Sequence, residues 1–245
     1  MLSMIKQIIF KNIKFYNITH NHFKKIISKD GYFVFPAAPA LAQINSQKNY
    51  YKALKKADLV FFDSGFFVIL LKIFKGINVN KFSGYKFLNL FFDYLKTNKN
   101  KSVLCIDPNK ENSKANYNYF KKIGVKKIHN YVAPNYNPKN IKDKKLLKIV
   151  KKTKPNFILT NIGGGSQEIL GQYLKENIKR KTTILCTGAA IGFYTGKQAP
   201  INSLIDKIYL GWLIRLIFNP ILFFKRYIHT FKLINLVIRD KISIK

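Results

Sequence analysis

The chain has 245 residues, 47% hydrophobic and 15% aromatic, enough apolar side chain for a buried core and too much for a disordered polyelectrolyte. Lysine and arginine total 44 against 11 aspartates and glutamates, a formal net charge of +33 that fits either a polyanionic or anionic-membrane partner or a generic solvated surface of lysines supplied by codon bias. Only Arg180, Arg215, Arg226 and Arg239 are arginines, which disfavours nucleic acid, because reading phosphate and guanine favours the guanidinium fork; anionic lipid needs only diffuse positive potential.

In chain order, Met1 to Lys25 has a lysine or polar residue every few positions, lacks the unbroken apolar core of a signal peptide, and reads as an amphipathic helical start. Five apolar runs follow, each leading into a helical pattern: Tyr32 to Phe35, Ala57 to Phe62, Ser102 to Ile106, Asn156 to Thr160 and Thr182 to Cys186. Their hydrophobicity is continuous rather than alternating, which predicts strands covered on both faces and hence an α/β fold with a mainly parallel sheet. The intervening helices carry core stripes: Phe87, Leu88, Phe91 and Leu95, then Leu146, Leu147 and Val150, then Ile169, Leu170, Tyr173 and Leu174. Tyr131 to Asn140, with Pro134 and Pro138, reads as an irregular connection, and Gly163-Gly164-Gly165 as another. Cys105 and Cys186 lie inside apolar strands with neither CxxC spacing nor a histidine pair beside them, so packing is their expected role and a cytosolic compartment fits.

From Ile208 onward, aromatic and aliphatic residues interleave with Arg215, Lys225, Arg226, Lys232 and Arg239, the pattern of a basic, apolar helical appendage outside the sheet. Its longest apolar stretch, Ile208 to Phe224, is interrupted by Arg215 and by Asn219-Pro220, which suits lying on a membrane better than crossing one.

Ligands of parallel sheets bind beyond the carboxyl ends of the strands, so three strand ends carry the functional reading. Asp63-Ser64-Gly65 follows the second run; Asp63 is either a general base for an attacking hydroxyl or the cap of a helix starting at Gly65 or Phe66. Asn161 to Glu168 includes Gly163, Gly164, Gly165, Ser166 and Gln167, whose backbone suits an anion at a helix start. The alternative there is a tight turn with Glu168 complementing the helix dipole. Its spacing matches neither GxGxxG nor the P-loop. The third strand end, Thr187 to Phe193, contains Gly188 and Gly192 and runs on to Gln198 and Pro200. The four histidines form no ligand set, and no DxD pair suggests a metal-bound diphosphate.

Together these segments resemble the bacterial WecG/TagA/CpsF glycosyltransferase family. Ala57 to Gly65 is similar to the family's Ala-Asp strand ending in Asp-Gly, with a serine inserted, and Lys81-Phe82-Ser83-Gly84 to its Arg-hydrophobic-Thr-Gly step. Gly163 to Glu168 is similar to Gly-x-Pro-Lys-Gln-Glu, and Gly192 to Pro200 to the Gly-x-x-x-Arg-Ala-Pro element. Gly211 to Arg215, Asn219-Pro220 and Arg226-Tyr227 follow the family's tail. The resemblance keeps one order from about Phe33 to Tyr227. Departures mark a divergent branch: Pro36-Ala37-Ala38 stands where the family has Thr-x-Asn, Lys81 and Gln198 replace arginines, and Gly165-Ser166 replaces Pro-Lys.

The resemblance implies a Rossmann-like catalytic domain over 1–207 with helices on both faces of the sheet, and a membrane-associating helical appendage over 208–245. It implies inverting, metal-independent transfer of a HexNAc-type sugar, without a cofactor, from a UDP-linked donor to a polyprenyl-diphosphate-linked saccharide on the inner face of the cytoplasmic membrane. Asp63 would be the base. Lys81, Gly84, Gly163, Gly164, Gly165, Ser166, Gln167, Gly188, Gly192, Gln198, Arg215 and Arg226 would bind substrate. Homo-oligomer formation is left open. The competing readings are a non-enzymatic basic module that binds nucleic acid or membrane, and a pseudo-enzyme of the same fold.

Overall fold

The computed structural model describes residues 5–198, 217, 220 and 228–245. Its centre is a nine-stranded sheet in the order β6-β5-β7-β8-β3-β4-β2-β1-β9. The five strands read from the sequence are present as β3 (Gly31–Val34), β4 (Leu59–Phe61), β5 (Ser102–Asp107), β7 (Phe157–Thr160) and β8 (Thr183–Cys186). They pair in parallel with one another and with β2 (Ile13–Tyr16) and β6 (Lys127–Val132).

Helices cover both faces because every central strand is apolar on both sides. On one face pack α2 (Ala38–Leu41), α3 (Lys48–Lys55), α4 (Gly65–Lys75), α7 (Lys144–Thr153) and α8 (Ser166–Asn177), against Tyr32, Val34, Val60, Leu104, Ile158 and Ile184. On the other pack α1 (Phe23–Ile27), α5 (Gly84–Thr97) and α6 (Lys110–Lys122), against Phe33, Leu59, Phe61, Val103, Leu159 and Leu185. The expected stripes are inward: Phe87, Leu88, Phe91, Leu95, Leu146, Leu170 and Leu174 are each fully buried. Cys105 and Cys186 are buried free thiols.

Three local readings are corrected. Among its described residues the N-terminal segment is a hairpin, not a helical start: β1 (Gln7–Phe10) pairs antiparallel with β2, and helix enters only near its end, as the 3₁₀ turn His20–His22 and Phe23–Ile27. The turn residues Lys11 and Asn12 both have positive φ, 51° and 57°, the geometry that matches strand twist in a two-residue turn. Ile8, Phe10, Ile13 and Phe15 point inward at period two, an alternation that the interleaved lysines disguise. Secondly, β6 was hidden by polar residues; it is an edge strand, so only part of it needs burial. The irregular connection therefore starts after Val132, and Asp143 closes it by capping α7 while accepting the hydroxyls of Tyr131 and Tyr136, each at 2.7 Å.

The third correction concerns the chain end. Helix α10 (Lys232–Arg239) is present and buries Leu233 and Val237 beside α4, but the residues after it do not stay outside the sheet. They return as β9 (Ser243–Ile244), antiparallel to β1, and Asp240 accepts the Lys11 amide at 2.7 Å. Two-residue pairing suffices because α10 has already delivered the chain to that edge.

One contact tests the packing of α8 on the sheet. A Cβ at Gly171 would lie 2.5 Å from Tyr32 Cε2 and 2.7 Å from Cys186 Sγ, both in the rigid core. Gly171→Ala is expected to lower stability by about 1–3 kcal/mol, read from the denaturation midpoint.

Candidate functional site

The carboxyl ends of the parallel strands share one rim, and the chain leaves that rim toward different faces. After β7 and β3 it passes to α8 and α2 on the first face; after β8 it turns, through a 3₁₀ segment Gly188–Ile191, to the second face. Adjacent strands departing to opposite faces leave a crevice between them, the usual ligand position in such sheets.

Asp63 stands on this rim just beyond β4. It does not cap α4; that role falls to Ser64, whose side chain accepts the Phe67 amide at 3.1 Å. Asp63 Oδ1 instead accepts the amide of Gly84, the first residue of α5, at 2.7 Å. The Phe82 amide donates to the Phe62 carbonyl at 2.9 Å, which draws Lys81 to Gly84 alongside the end of β4. Ser83 then caps α5 by accepting the Lys86 amide.

Gly84 leads to the next strand end. A Cβ on it would lie 3.4 Å from the Thr187 carbonyl, so α5 sits tightly against the exit of β8. Gly188 follows with φ +59°, and a Cβ there would approach Gln167 Nε2 to 3.2 Å. The third junction therefore touches the second. Gly192 is buried under Gln198, whose amide donates to the Gly192 carbonyl at 3.1 Å. Tyr194, in the short α9 (Gly192–Thr195), donates its hydroxyl to the Tyr85 carbonyl at 2.7 Å, tying this element to the start of α5.

The glycine turn is open on its outer side. Gly163 and Gly164 are exposed, and a Cβ at Gly163 would meet nothing within 4 Å. Gly165, at φ +93°, requires glycine to aim the chain into α8. Among the described residues, the amides of Gly163, Gly164 and Ser166 have no protein acceptor, as an anion site at a helix start needs. Its near wall is α2: a Cβ at Gly164 would lie 3.9 Å from Ala40 Cβ. Pro36-Ala37-Ala38 leads into this wall with no side-chain hydrogen bond.

Glu168 is the group whose place the sequence did not reveal. Read as a helix-dipole partner, it is fully buried, and its Oε2 accepts the Gly165 amide at 2.6 Å while Oε1 accepts Gln167 Nε2 at 3.0 Å. Burial pushes its carboxyl up to about 7, the Asp63 charge adds to the rise, and the amide hydrogen bonds oppose it. The usable signal was a Glu three residues after a left-handed glycine, a capping-box spacing. The Tyr32 hydroxyl donates to the Glu168 carbonyl at 2.6 Å, while the buried Tyr50 hydroxyl has no partner among the described residues.

A second buried acid anchors the same turn. Asp107, at the end of β5, accepts Asn161 Nδ2 and Asn116 Nδ2, each at 2.7 Å, and Asn130 Nδ2 at 3.2 Å. Burial raises its carboxyl against these donors. Arg215 and Arg226 lie outside the described residues. Among the described residues, no His, Cys, Asp or Glu side chains group so as to hold a metal ion.

The two acids give stability a defined pH dependence. A carboxyl whose folded pKa is raised binds more proton when folded, so stability falls as pH climbs from its unfolded value and levels off above its folded one. For Glu168 that window runs from 4.5 to about 7. Glu168→Gln is expected to remove a decline of roughly 3 kcal/mol across it, leaving the smaller slope due to Asp107, as measured by denaturation at several pH values.

The model of the glycosyl transferase WecG/TagA/CpsF family matches residues 5–245. Among curated proteins, none matches the chain.

Proposed function

The chain belongs to the WecG/TagA/CpsF family of glycosyl transferases, and on that premise we propose that it transfers a HexNAc-type sugar, with inversion, from a UDP-linked donor to a hydroxyl of a polyprenyl-diphosphate-linked saccharide. The observation that carries this reading is the shared rim: beyond β4 a carboxylate held by the Gly84 amide, and beyond β7 the amides of Gly163, Gly164 and Ser166, unpaired among the described residues. The carboxylate takes the proton of the incoming hydroxyl while the amides stabilise charge on the departing diphosphate. Lys81, Gln167, Arg215 and Arg226 add donors and positive charge for the same phosphates, Gly188 and Gly192 let Gln167 and Gln198 pack closely at this end of the sheet, and Gln198 occupies the position of the family's arginine.

Asp63→Asn keeps an acceptor for the Gly84 amide but cannot take a proton. Its turnover is expected to fall about 10²- to 10⁴-fold with UDP binding retained. Wild-type turnover in a folded variant overturns the base assignment. Nucleotide binding without turnover by the wild-type chain, across donors, favours a pseudo-enzyme, for which Pro36-Ala37-Ala38 in place of Thr-x-Asn is the specific motive.

A lipid-linked acceptor requires an approach to the bilayer, at the inner face of the cytoplasmic membrane. No described helix is long and apolar enough to cross a membrane. Apolar side chains nevertheless face outward on one surface shared by α4 and α10: Ile73 is 67% exposed, Phe74 44%, Phe231 62% and Ile238 46%. Phe66 and Phe231 meet edge to face, Lys75 donates to the Ile238 carbonyl, and the same two helices carry the exposed Lys72, Lys232 and Arg239. Exposed apolar residues and cations on the same pair of helices suit the interface of an anionic bilayer. A chain cut at Ile208 would also lose α10 and β9, so point variants are the cleaner test. Ile73→Glu with Phe231→Glu is expected to weaken sedimentation with phosphatidylglycerol vesicles at least about tenfold, while leaving transfer to a soluble acceptor unchanged. Undiminished vesicle binding overturns this surface as the contact.

A further inference from the structure

The far edge of the sheet carries a second prepared surface, independent of the transferase reading. β6 pairs only with β5 among the described residues, so its outer edge is open. The Ala133 amide donates to the Asp107 carbonyl at 2.8 Å, which sets the alternation. Tyr131 and His129 turn their backbone groups toward β5, and Ile128, Asn130 and Val132 turn theirs outward.

This edge lies in a groove of about 680 Å³ between α6 and α7. Lys110, Lys114 and Tyr117, one stripe of α6, form one wall, Ile149 of α7 the other, and Ile128 and Val132 the floor. The opposite side of α6 is already engaged, with Glu111 paired to Lys197 and Tyr119 packed on Tyr194. The strand is also pinned: Asn130 Nδ2 donates to the Ser113 carbonyl at 3.0 Å, and Tyr131 is held by Asp143. Natural edge strands are usually blunted by bulges, proline or charged side chains. β6 has neither a bulge nor a proline within it, its one lysine, Lys127, stands at its first position, and its Val132 is 40% exposed.

We propose that β6 is a docking strand for an extended acidic segment of a partner protein, added to the sheet as a further strand between α6 and α7. Backbone hydrogen bonds to Ile128, Asn130 and Val132 supply affinity; alternate side chains meet the lysines of α6 on one face and Ile149 of α7 on the other. Charge selects the occupant. The groove is lined by Lys110 and Lys114 with no carboxylate, and Lys127 is exposed at its start. A second copy of this chain would set those lysines against their own kind, whereas an acidic strand complements them.

The probe is a fluorescein-labelled octapeptide alternating glutamate with valine or isoleucine, followed by fluorescence anisotropy at about 0.15 M salt. Saturable binding is expected. It should weaken at least about tenfold with Lys114→Glu or with Val132→Asp, both at exposed positions. The same peptide with alternate amides N-methylated should also bind at least about tenfold more weakly, a control that needs no protein variant. Equal binding of the N-methylated peptide would reduce the interaction to bulk charge and overturn the proposal, as would absence of binding. Sedimentation of the chain alone as a dimer that Val132→Asp dissociates would overturn it in favour of a second copy on this edge.

Discussion

One shared direction organises the molecule. Because β2 to β8 all run the same way in neighbouring positions, their carboxyl ends and the helix starts that follow lie on one rim. Each junction then needs only one good contact to the next. Asp63 holds Gly84, Gly84 packs on the Thr187 carbonyl, and Gly188 packs on Gln167, which leads to the glycine turn. Segments far apart in the chain become one surface through three close approaches, two of them made at glycines.

Electrostatics reinforce the arrangement. In a chain so rich in lysine, Asp107, Asp143 and Glu168 are buried and satisfied mainly by amides and hydroxyls rather than by cations. Such groups are costly to charge, and the cost is offset by fixing the turns they bind. Asp107 anchors Asn161 at one end of the glycine turn, and Glu168 holds Gly165 at the other. Between them, the Gly163 and Gly164 amides have no acceptor among the described residues. The open turn is therefore rigid because its two ends are bound to buried acids, not because of its own composition.

The surfaces divide by edge. At one end of the sheet, β1 is covered by β9, and α10 rests on α4, leaving an apolar basic face. At the other, β6 has no outer strand among the described residues and lies between two helices. A bilayer and a protein partner could occupy these ends together without competing, since the whole width of the sheet separates them.

The sequence by itself determined the five buried strands and the core stripes of α5, α7 and α8, and it marked the three strand ends that the structure gathers on one rim. Continuous apolar runs and glycine clusters have few alternative uses, so local pattern suffices for them. It misread Met1 to Lys25, because lysines between apolar residues suit an amphipathic helix or an exposed hairpin, and only the pairing of β2 with β4 selects the hairpin. It passed over β6 because an edge strand is excused from full burial, and it set the chain end outside the sheet because two residues of β9 carry no local signal. The tertiary structure alone decided that Asp63 binds α5 rather than capping α4, and that Glu168 is enclosed rather than exposed. Both depend on which helix start and which side chains arrive from elsewhere in the chain, and spacing within one segment holds no record of that.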